Sequence, residues 1–130
     1  MILGTGIDII EVKRIAASFE RFGDKFLNRI LRPSEICYCF GHKQPAPLLA
    51  ARFAAKEAIA KAFGTGIGIQ LGWLDMEVGK RESGEPYVVL HGAGLGLLAK
   101  SGAHVIHLSM SHTENYATAM AILESHGAAV

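Results

Sequence analysis

Cysteine is scarce in this chain of 130 residues. The sequence contains only two cysteines, Cys37 and Cys39, which stand one residue apart. Cysteines at this spacing are poorly placed to bond each other, and two are too few for a structural zinc site. We therefore expect both cysteines to be buried or unreactive thiols in a reducing compartment, and we predict a cytoplasmic protein.

Charge is also scarce, and neither sign dominates. Charged residues make up 19% of the chain, the net charge is +1, and 50% of the residues are hydrophobic. A near-neutral protein has no global basic field, so nucleic-acid binding is not expected. The apolar fraction supplies a core and favours an additional buried surface, such as an oligomer interface.

Long hydrophobic runs are missing as well. No apolar run approaches the roughly 20 residues of a membrane span, and no membrane association is expected. The opening stretch MILGTGIDIIEVKRI has an aspartate inside its apolar part and no leading basic region, which argues against a signal peptide. The length corresponds to one domain over residues 1–130.

Hydrophobic spacing and turn residues predict an α+β fold with a mostly antiparallel sheet. A first strand is expected over residues 2–10, turning at Asp8, and helical spacing follows until Gly23 stops it. Pro33 suits the first turn of a short helix, for which Ser34 is the candidate cap.

The second half of the chain predicts a long helix followed by strands. The helix is expected over residues 48–63, opened by Pro47 and closed by Gly64. Two strands are expected around the turn ESGEP, then a weak, glycine-loosened helix in GAGLGLLAKSG. The segments HVIHLSMS and YATAMAIL predict a final hairpin.

The charged residues of the long helix do not lie on one solvent-exposed face. At 100° per residue, Lys56 lies about 40° from Arg52, Glu57 about 140° and Lys61 about 180°. Large apolar residues surround the Arg52 and Lys56 directions, and alanines fill most of the rest. Glu57 and Lys61 therefore lie at the edge of an alanine face. One interpretation is that Glu57 and Lys61 form an i,i+4 ion pair on the helix surface. Such a pair contributes about 0.3–0.5 kcal/mol to helix stability.

A second isolated carboxylate, Asp8, favours another interpretation of Glu57. Asp8 alone is also explained as a helix cap or a strand-end residue. Two carboxylates on separate rigid elements, with a lysine beside one of them, suit magnesium, which takes the rest of its shell from water and phosphates. Lys61 would then neutralise phosphate charge. The glycines of GTGIG add only a weak signal for an anion, because a helix cap and turn explain them equally well.

The histidines do not predict a zinc site. On a strand, His104 and His107 point to opposite faces, so they are badly placed to share a metal. His107, Ser109 and Ser111 alternate onto one face, which is either solvated or lines a ligand.

Three motifs in this order resemble the holo-acyl-carrier-protein synthases, the short bacterial type of 4′-phosphopantetheinyl transferase. They are GIDIIEVKRI, RFAAKEAIAKAFGTGIG and HLSMSHT, and the resemblance covers essentially the whole chain. It implies the 4′-phosphopantetheinyl transferase fold and transfer of phosphopantetheine from coenzyme A to a serine of apo acyl carrier protein, in support of fatty acid biosynthesis. The product that leaves would be adenosine 3′,5′-bisphosphate.

The resemblance also implies roles for individual residues. Asp8 and Glu57 would bind Mg2+, and Lys61 would contact the transferring phosphate. The attacking serine must also lose its proton, and the candidate acceptor is Glu57, either directly or through a metal-bound water. The coenzyme A pocket would be lined by Arg52, Lys61, Gly64, Thr65, Gly66, Pro86, His107, Ser109 and His112. One departure is Glu85, where relatives often have lysine, and it puts one anion contact in doubt.

Family members are trimers with active sites at subunit boundaries, so a homotrimer is expected. Acyl carrier proteins are acidic, and the basic first helix is the expected docking surface, with Arg14, Arg21, Phe22 and Lys25 as its candidate residues. The alternative is that this face of the helix is exposed to solvent and binds no partner. Two other functions compete with the enzyme: a non-enzymatic nucleotide- or phosphate-binding module, and a structural oligomer built on the alanine face.

Overall fold

A long helix packed against an antiparallel sheet organises the computed structural model, which describes residues 1–126. The fold class is α+β, as the sequence predicts. The helices are α1 (Val12–Phe22), α2 (Asp24–Ile30), α3 (Pro33–Phe40), α4 (Pro45–Ala62) and α5 (Ala93–Ser101). The strands are β1 (Ile2–Glu11), β2 (Met76–Lys80), β3 (Pro86–Leu90), β4 (Val105–His112) and β5 (Tyr116–Glu124), and a 3-10 turn covers Trp73–Asp75.

The strands form two antiparallel sheets. One has the order β1-β5-β4, and the other is the β2-β3 hairpin. The inner face of the larger sheet is buried against α4 through small residues on β5, namely Ala117, Ala119 and Ala121. In the part of the chain described, no helix is both long and apolar enough to cross a membrane.

The alanine face of α4 lets β1 approach the helix backbone directly. A side chain at Gly6 would place its Cβ 1.9 Å from the carbonyl oxygen of Ala58, and one at Gly4 would lie 2.0 Å from that of Ala62. Neither position therefore admits a side chain without moving the backbone. This contact fixes where Asp8, two residues after Gly6 on the same face, meets the helix.

The outer face of the larger sheet is unusually apolar. On β1, Ile7 is 65% exposed and Ile9 67%. Met120 on β5 pairs with Ile7 in the register and is 45% exposed. These side chains form a continuous apolar patch, which we call the outer patch.

Several predicted boundaries were wrong. β1 does not turn at Asp8 but continues to Glu11, because Asp8 pairs with Ala119 inside the ladder. α4 begins at Pro45, before Pro47, since both prolines fit a first turn whose N–H groups have no helical partner.

The prediction that Ser34 caps α3 was also wrong. The Glu35 carboxylate accepts a hydrogen bond from the Arg32 backbone N–H at 2.8 Å, whereas the Ser34 hydroxyl donates to Glu77 at 2.5 Å. The longer side chain of Glu35 reaches back over the first turn, which frees Ser34 to bond to the β2 strand.

Candidate active site

Asp8, Glu57 and Lys61 come together where β1 crosses the last turns of α4. The Lys61 ammonium donates to the Asp8 carboxylate at 3.1 Å and to the Ile7 carbonyl at 2.9 Å. Glu57 lies one helical turn before Lys61. The Asp8 side chain is 19% exposed and that of Lys61 50%, so the cluster is open to a ligand from solvent.

The cluster holds more negative than positive charge. Burial raises the pKa of Glu57, the Asp8 carboxylate raises it further, and the Lys61 ammonium opposes both effects. The site therefore lacks positive charge when both carboxylates are ionised, and a cation would supply it.

This donor set fits magnesium. Among the described residues, no group of three or more histidine, cysteine, aspartate or glutamate side chains could hold a metal. Two carboxylates nevertheless suffice for Mg2+, which keeps several waters and shares phosphate oxygens with a substrate. Asp8 and Glu57 are the residues that would hold it.

Lys56 plays a structural part that the sequence reasoning did not identify. Its ammonium is fully buried and donates to the Glu35 carboxylate at 2.7 Å, the Ile30 carbonyl at 2.7 Å and the Trp73 carbonyl at 3.1 Å. All three of its N–H groups are thus used inside the protein. An apolar environment around a lysine was the available signal, but nothing local pointed to Glu35.

Arg52, expected at the nucleotide end of the donor, lies inside the chain. It is 1% exposed, and its guanidinium lies 4.3 Å from the centre of the Tyr38 ring. Its buried Nε has no hydrogen-bond partner in the described part of the chain. A role toward a ligand stays a prediction for this residue.

The glycine loop after α4 caps the helix. The backbone N–H groups of Thr65 and Gly66 both donate to the Ala60 carbonyl at 3.2 Å. The backbone N–H of Gly64 donates to the backbone carbonyl of Lys61 at 2.9 Å. Gly64 and Gly66 have φ of 79° and 64°, which other residues rarely adopt. These three N–H groups are therefore engaged and do not point at an anion.

The outer face of β4 carries the predicted polar stripe. His107, Ser109 and Ser111 are exposed, whereas the residues between them pack against the core. The His107 Nε2 lies 2.9 Å from a carboxylate oxygen of Glu124 on β5. Within one chain, this stripe and Asp8 lie on opposite faces of the sheet and are separated by β5.

Two other predicted pocket residues are not members of this stripe. Pro86 begins β3 and pairs with Lys80 at the end of the small sheet. His112 ends β4 and lines a cavity of about 570 Å³ together with His42, Pro47 and Leu48.

The predicted docking surface is exposed and basic, but it spans two helices rather than the single first helix expected. Lys25 lies on α2, because Gly23 ends α1 after Phe22. Arg14, Arg21 and Lys25 are exposed, and Phe22 is 55% exposed with the Arg21 guanidinium 5.0 Å from its ring centre. A groove of about 510 Å³ between α1 and α2 is lined by Ser18, Phe22, Lys25, Phe26 and Arg29.

Comparison with known proteins gives consistent matches over nearly the whole chain. Residues 4–121 match the family model described as the 4′-phosphopantetheinyl transferase superfamily. A holo-[acyl-carrier-protein] synthase of Koribacter versatilis is 53% identical over 124 residues, which cover 95% of this chain and 99% of the relative.

Solved structures agree with the sequence matches. The crystal structure of holo-[acyl-carrier-protein] synthase from Neisseria meningitidis superposes with a TM-score of 0.90 at 38% identity, covering 96% of this chain and all of that one. The Helicobacter pylori enzyme in complex with coenzyme A gives 0.83 at 34% identity, covering 92% and 99%. The chain belongs to the 4′-phosphopantetheinyl transferase superfamily and groups there with the holo-[acyl-carrier-protein] synthases.

Proposed function

We propose that this protein is a holo-[acyl-carrier-protein] synthase that works on coenzyme A with magnesium. It transfers the 4′-phosphopantetheine group of coenzyme A to a serine of apo acyl carrier protein, releases adenosine 3′,5′-bisphosphate and supports fatty acid biosynthesis. The observation that carries the proposal is the meeting of Asp8, Glu57 and Lys61 at the β1–α4 crossing. The coenzyme A complex of the Helicobacter pylori relative supports the donor.

Each member of the cluster has a role in the transfer. The serine oxygen forms a bond to the β-phosphorus of the donor, and the bond from that phosphorus to the leaving bisphosphate breaks. Lys61 offers its ammonium to the phosphate oxygens, where negative charge concentrates in the transition state. The Glu57 carboxylate is the proposed acceptor of the serine proton.

Asp8 and Glu57 would hold the magnesium ion. When bound, the ion neutralises pyrophosphate charge and stabilises the leaving phosphate. Asp8 also fixes the Lys61 ammonium through their 3.1 Å contact, so that the lysine stays directed toward the same place.

The proposed active unit is a homotrimer with its sites at subunit boundaries. The outer patch of Ile7, Ile9 and Met120 exposes apolar side chains that a second copy would bury. The metal ligands and the His107–Ser109 stripe lie on opposite faces of one sheet, so a neighbouring copy would supply the stripe to each site.

The remaining assignments follow from the same proposal. Residues 1–130 form one transferase domain, and the cytoplasm is the proposed compartment. Cys37 and Cys39 are both free thiols, which agrees with a reducing environment. Arg52, Gly64, Thr65, Gly66, Pro86 and His112 are proposed to line the donor pocket, the three loop residues through their shape rather than their N–H groups.

One assay tests the function. The protein is incubated with coenzyme A, magnesium and apo acyl carrier protein, and the carrier mass is followed. We expect the mass of one phosphopantetheine group to be added, and almost none with Asp8→Ala. Donor binding without any mass gain would instead identify a non-enzymatic nucleotide-binding module, and neither binding nor mass gain would leave a structural oligomer.

A further inference from the structure

Thr118 forms a side-chain hydrogen bond to the strand that carries Asp8. It lies on β5 opposite Ile9, in the register that pairs Asp8 with Ala119. The Thr118 Oγ1–H donates to the Asp8 backbone carbonyl at 2.8 Å. Thr118 is half-buried on the outer face of the sheet, whereas the Asp8 side chain points to the inner face. The hydroxyl therefore reaches the Asp8 backbone from the side of the sheet opposite to the carboxylate.

A second side chain holds the peptide unit that precedes the Asp8 Cα. The Lys61 ammonium donates to the Ile7 carbonyl at 2.9 Å, in addition to its contact with the Asp8 carboxylate. The Ile7 carbonyl belongs to the peptide plane before the Asp8 Cα, and the Asp8 carbonyl belongs to the plane after it. Because each peptide unit is planar, fixing both planes fixes φ and ψ of Asp8 and the direction of its Cα–Cβ bond. Lys61 and Thr118 thus hold the backbone on both sides of the proposed metal ligand.

The two side chains differ in what else they are needed for. Lys61 is proposed to contact the transferring phosphate, and its side chain is 50% exposed. Thr118 lies on the other face of the sheet, and its hydroxyl has a single proton to donate, which the Asp8 carbonyl accepts. A β-branched side chain is also stiff at χ1, so this hydrogen bond has a well-defined direction.

We propose that Thr118 is a positioning residue for the magnesium ligand Asp8: its hydroxyl holds the Asp8 peptide so that the carboxylate stays directed at the ion it shares with Glu57. This inference rests on the proposed function, which assigns the metal to these two carboxylates. Magnesium demands near-ideal octahedral geometry with ligand distances of about 2.0–2.1 Å. A carboxylate that is free to swing away from that geometry binds the ion more weakly. Thr118 therefore contributes to metal affinity without touching the metal, the donor or the carrier.

The test replaces Thr118 by valine and by serine. Valine has nearly the same shape without the hydroxyl, and serine keeps the hydroxyl. The probe is magnesium alone, without coenzyme A or carrier protein, and its Kd is obtained by titrating the backbone amide resonances around Asp8. We expect Kd to rise about three- to tenfold in Thr118→Val, the range that one hydrogen bond contributes, and to stay near the wild-type value in Thr118→Ser.

Thr5→Val is the matched control. Thr5 is exposed on the same outer face, where it stands opposite Ile122 on β5. The substitution is chemically identical and lies three residues from Asp8 on the same strand, and magnesium Kd should stay at the wild-type value. Melting in EDTA measures the stability of each variant without metal, which separates a general loss of stability from a loss of metal affinity.

Transfer kinetics supply a second readout. In Thr118→Val, the magnesium concentration that gives half the maximal rate should rise by the same factor as Kd, and saturating magnesium should restore kcat. At saturating magnesium, KM for coenzyme A and KM for the carrier should match wild type, because Thr118 binds neither substrate.

Three results would each overturn the inference: an unchanged magnesium Kd in Thr118→Val, an equal loss of affinity in Thr118→Ser, or an equal loss in Thr5→Val. A wild type that binds magnesium but transfers nothing from coenzyme A would instead overturn the proposed function. A wild type that binds no magnesium would overturn both. The failure of the inference alone is therefore distinguishable from the failure of the proposed function.

Discussion

At the scale of single residues, α4 contains charges of two kinds that look alike in the sequence. Lys56 and Arg52 are buried within the single chain. Glu57 and Lys61 follow on the same helix but face β1, where Asp8 joins them. The difference comes from the crossing strand, because the side chains of Lys61 and Asp8 stay partly exposed where β1 meets the helix.

The first prediction concerns Glu57 in the metal-free protein. Its pKa is raised in the folded state, above the ordinary value of 4.5. The fold therefore favours the protonated carboxyl, and this stabilisation is present below pH 4.5 and is lost as pH rises through the raised value. With EDTA present, Glu57→Gln should raise Tm relative to wild type, and by more at pH 8 than at pH 4.

Magnesium should reverse the order of the two Tm values at pH 8, so that wild type becomes more stable than Glu57→Gln. An ion that binds only the folded wild type raises its Tm, whereas Glu57→Gln has lost one carboxylate and should gain much less. Equal magnesium-induced Tm shifts in the two proteins would remove Glu57 from the metal site.

The second prediction concerns Lys61. Lys61→Ala should lower both kcat and kcat/KM, because charge stabilisation at the phosphate strengthens in the transition state. The loss of one such donor costs roughly 100- to 1000-fold in kcat. Lys100→Ala, an exposed lysine of α5, is the control with a retained rate. A change confined to KM for coenzyme A would show that Lys61 only helps binding.

At the scale of elements, Lys56 and Glu35 join separate segments to α4. The ammonium of Lys56 reaches the end of α2 at Ile30 and the 3-10 turn at Trp73, and Glu35 on α3 accepts from the Val78 N–H of β2 at 3.0 Å. One buried ion pair thus connects four elements besides its own helix backbone.

Breaking this pair is the third prediction. Lys56→Met leaves the Glu35 carboxylate buried without its cation, which should cost about 3–5 kcal/mol of stability. Urea unfolding measures the loss. Lys100→Met should change stability by less than about 0.5 kcal/mol, because that side chain is exposed. Lys56→Met with Glu35→Gln should recover part of the loss; a double variant as unstable as the sum of both would contradict the pairing.

The sequence predicts these elements better than it predicts their contacts. Periodicity located the helices and strands, and Asp8, Glu57 and Lys61 could be singled out because each is a charge in an apolar setting. The Lys56–Glu35 pair could not, because a separation of 21 residues leaves no local signal. The predicted cap of α3 was wrong for a related reason, because the hydrogen-bond partner of Ser34 is Glu77, which is distant in the sequence.

The fourth prediction concerns α1 and the carrier protein. Arg14→Glu with Arg21→Glu should raise KM for apo acyl carrier protein strongly, mainly by slowing association, because an acidic partner would meet repulsion. The KM for coenzyme A should stay nearly unchanged. Added salt should weaken the wild type more than the variant, since exposed charges are screened. An unchanged KM for the carrier would move the docking surface elsewhere.

At the scale of the whole molecule, one chain presents its proposed active site in two halves. Asp8 faces α4 on the inner side of the sheet, while His107 and Ser109 stand on the outer side. The outer patch lies on that same outer side. Burying the patch against a second copy would also bring the second copy's surface toward these residues, so the proposed assembly and the completion of the site would have one structural origin.

The fifth prediction tests whether the outer patch holds the subunits together and whether activity depends on that assembly. Ile7 and Met120 are register partners, so Ile7→Glu with Met120→Glu places two like charges side by side in the patch. Sedimentation should show a trimer for wild type and a monomer for this variant, with transfer lost although the circular dichroism of the fold is kept. Leu95→Glu on α5 introduces a charge at another exposed apolar residue and should leave both assembly and activity unchanged. A fully active wild-type monomer would contradict the proposal.

Mixing two damaged proteins tests the shared site directly within this prediction. Asp8→Ala removes one half of each site, and His107→Ala with Ser109→Ala weakens the other half at limiting coenzyme A. In a mixed trimer, an Asp8→Ala subunit contributes an intact outer stripe to a neighbour that retains Asp8 and Glu57. At least one boundary then combines two intact halves, so the mixture should regain activity that neither protein has alone. If each site were built from one chain, every site in the mixture would carry one of the two defects, and mixing would restore nothing.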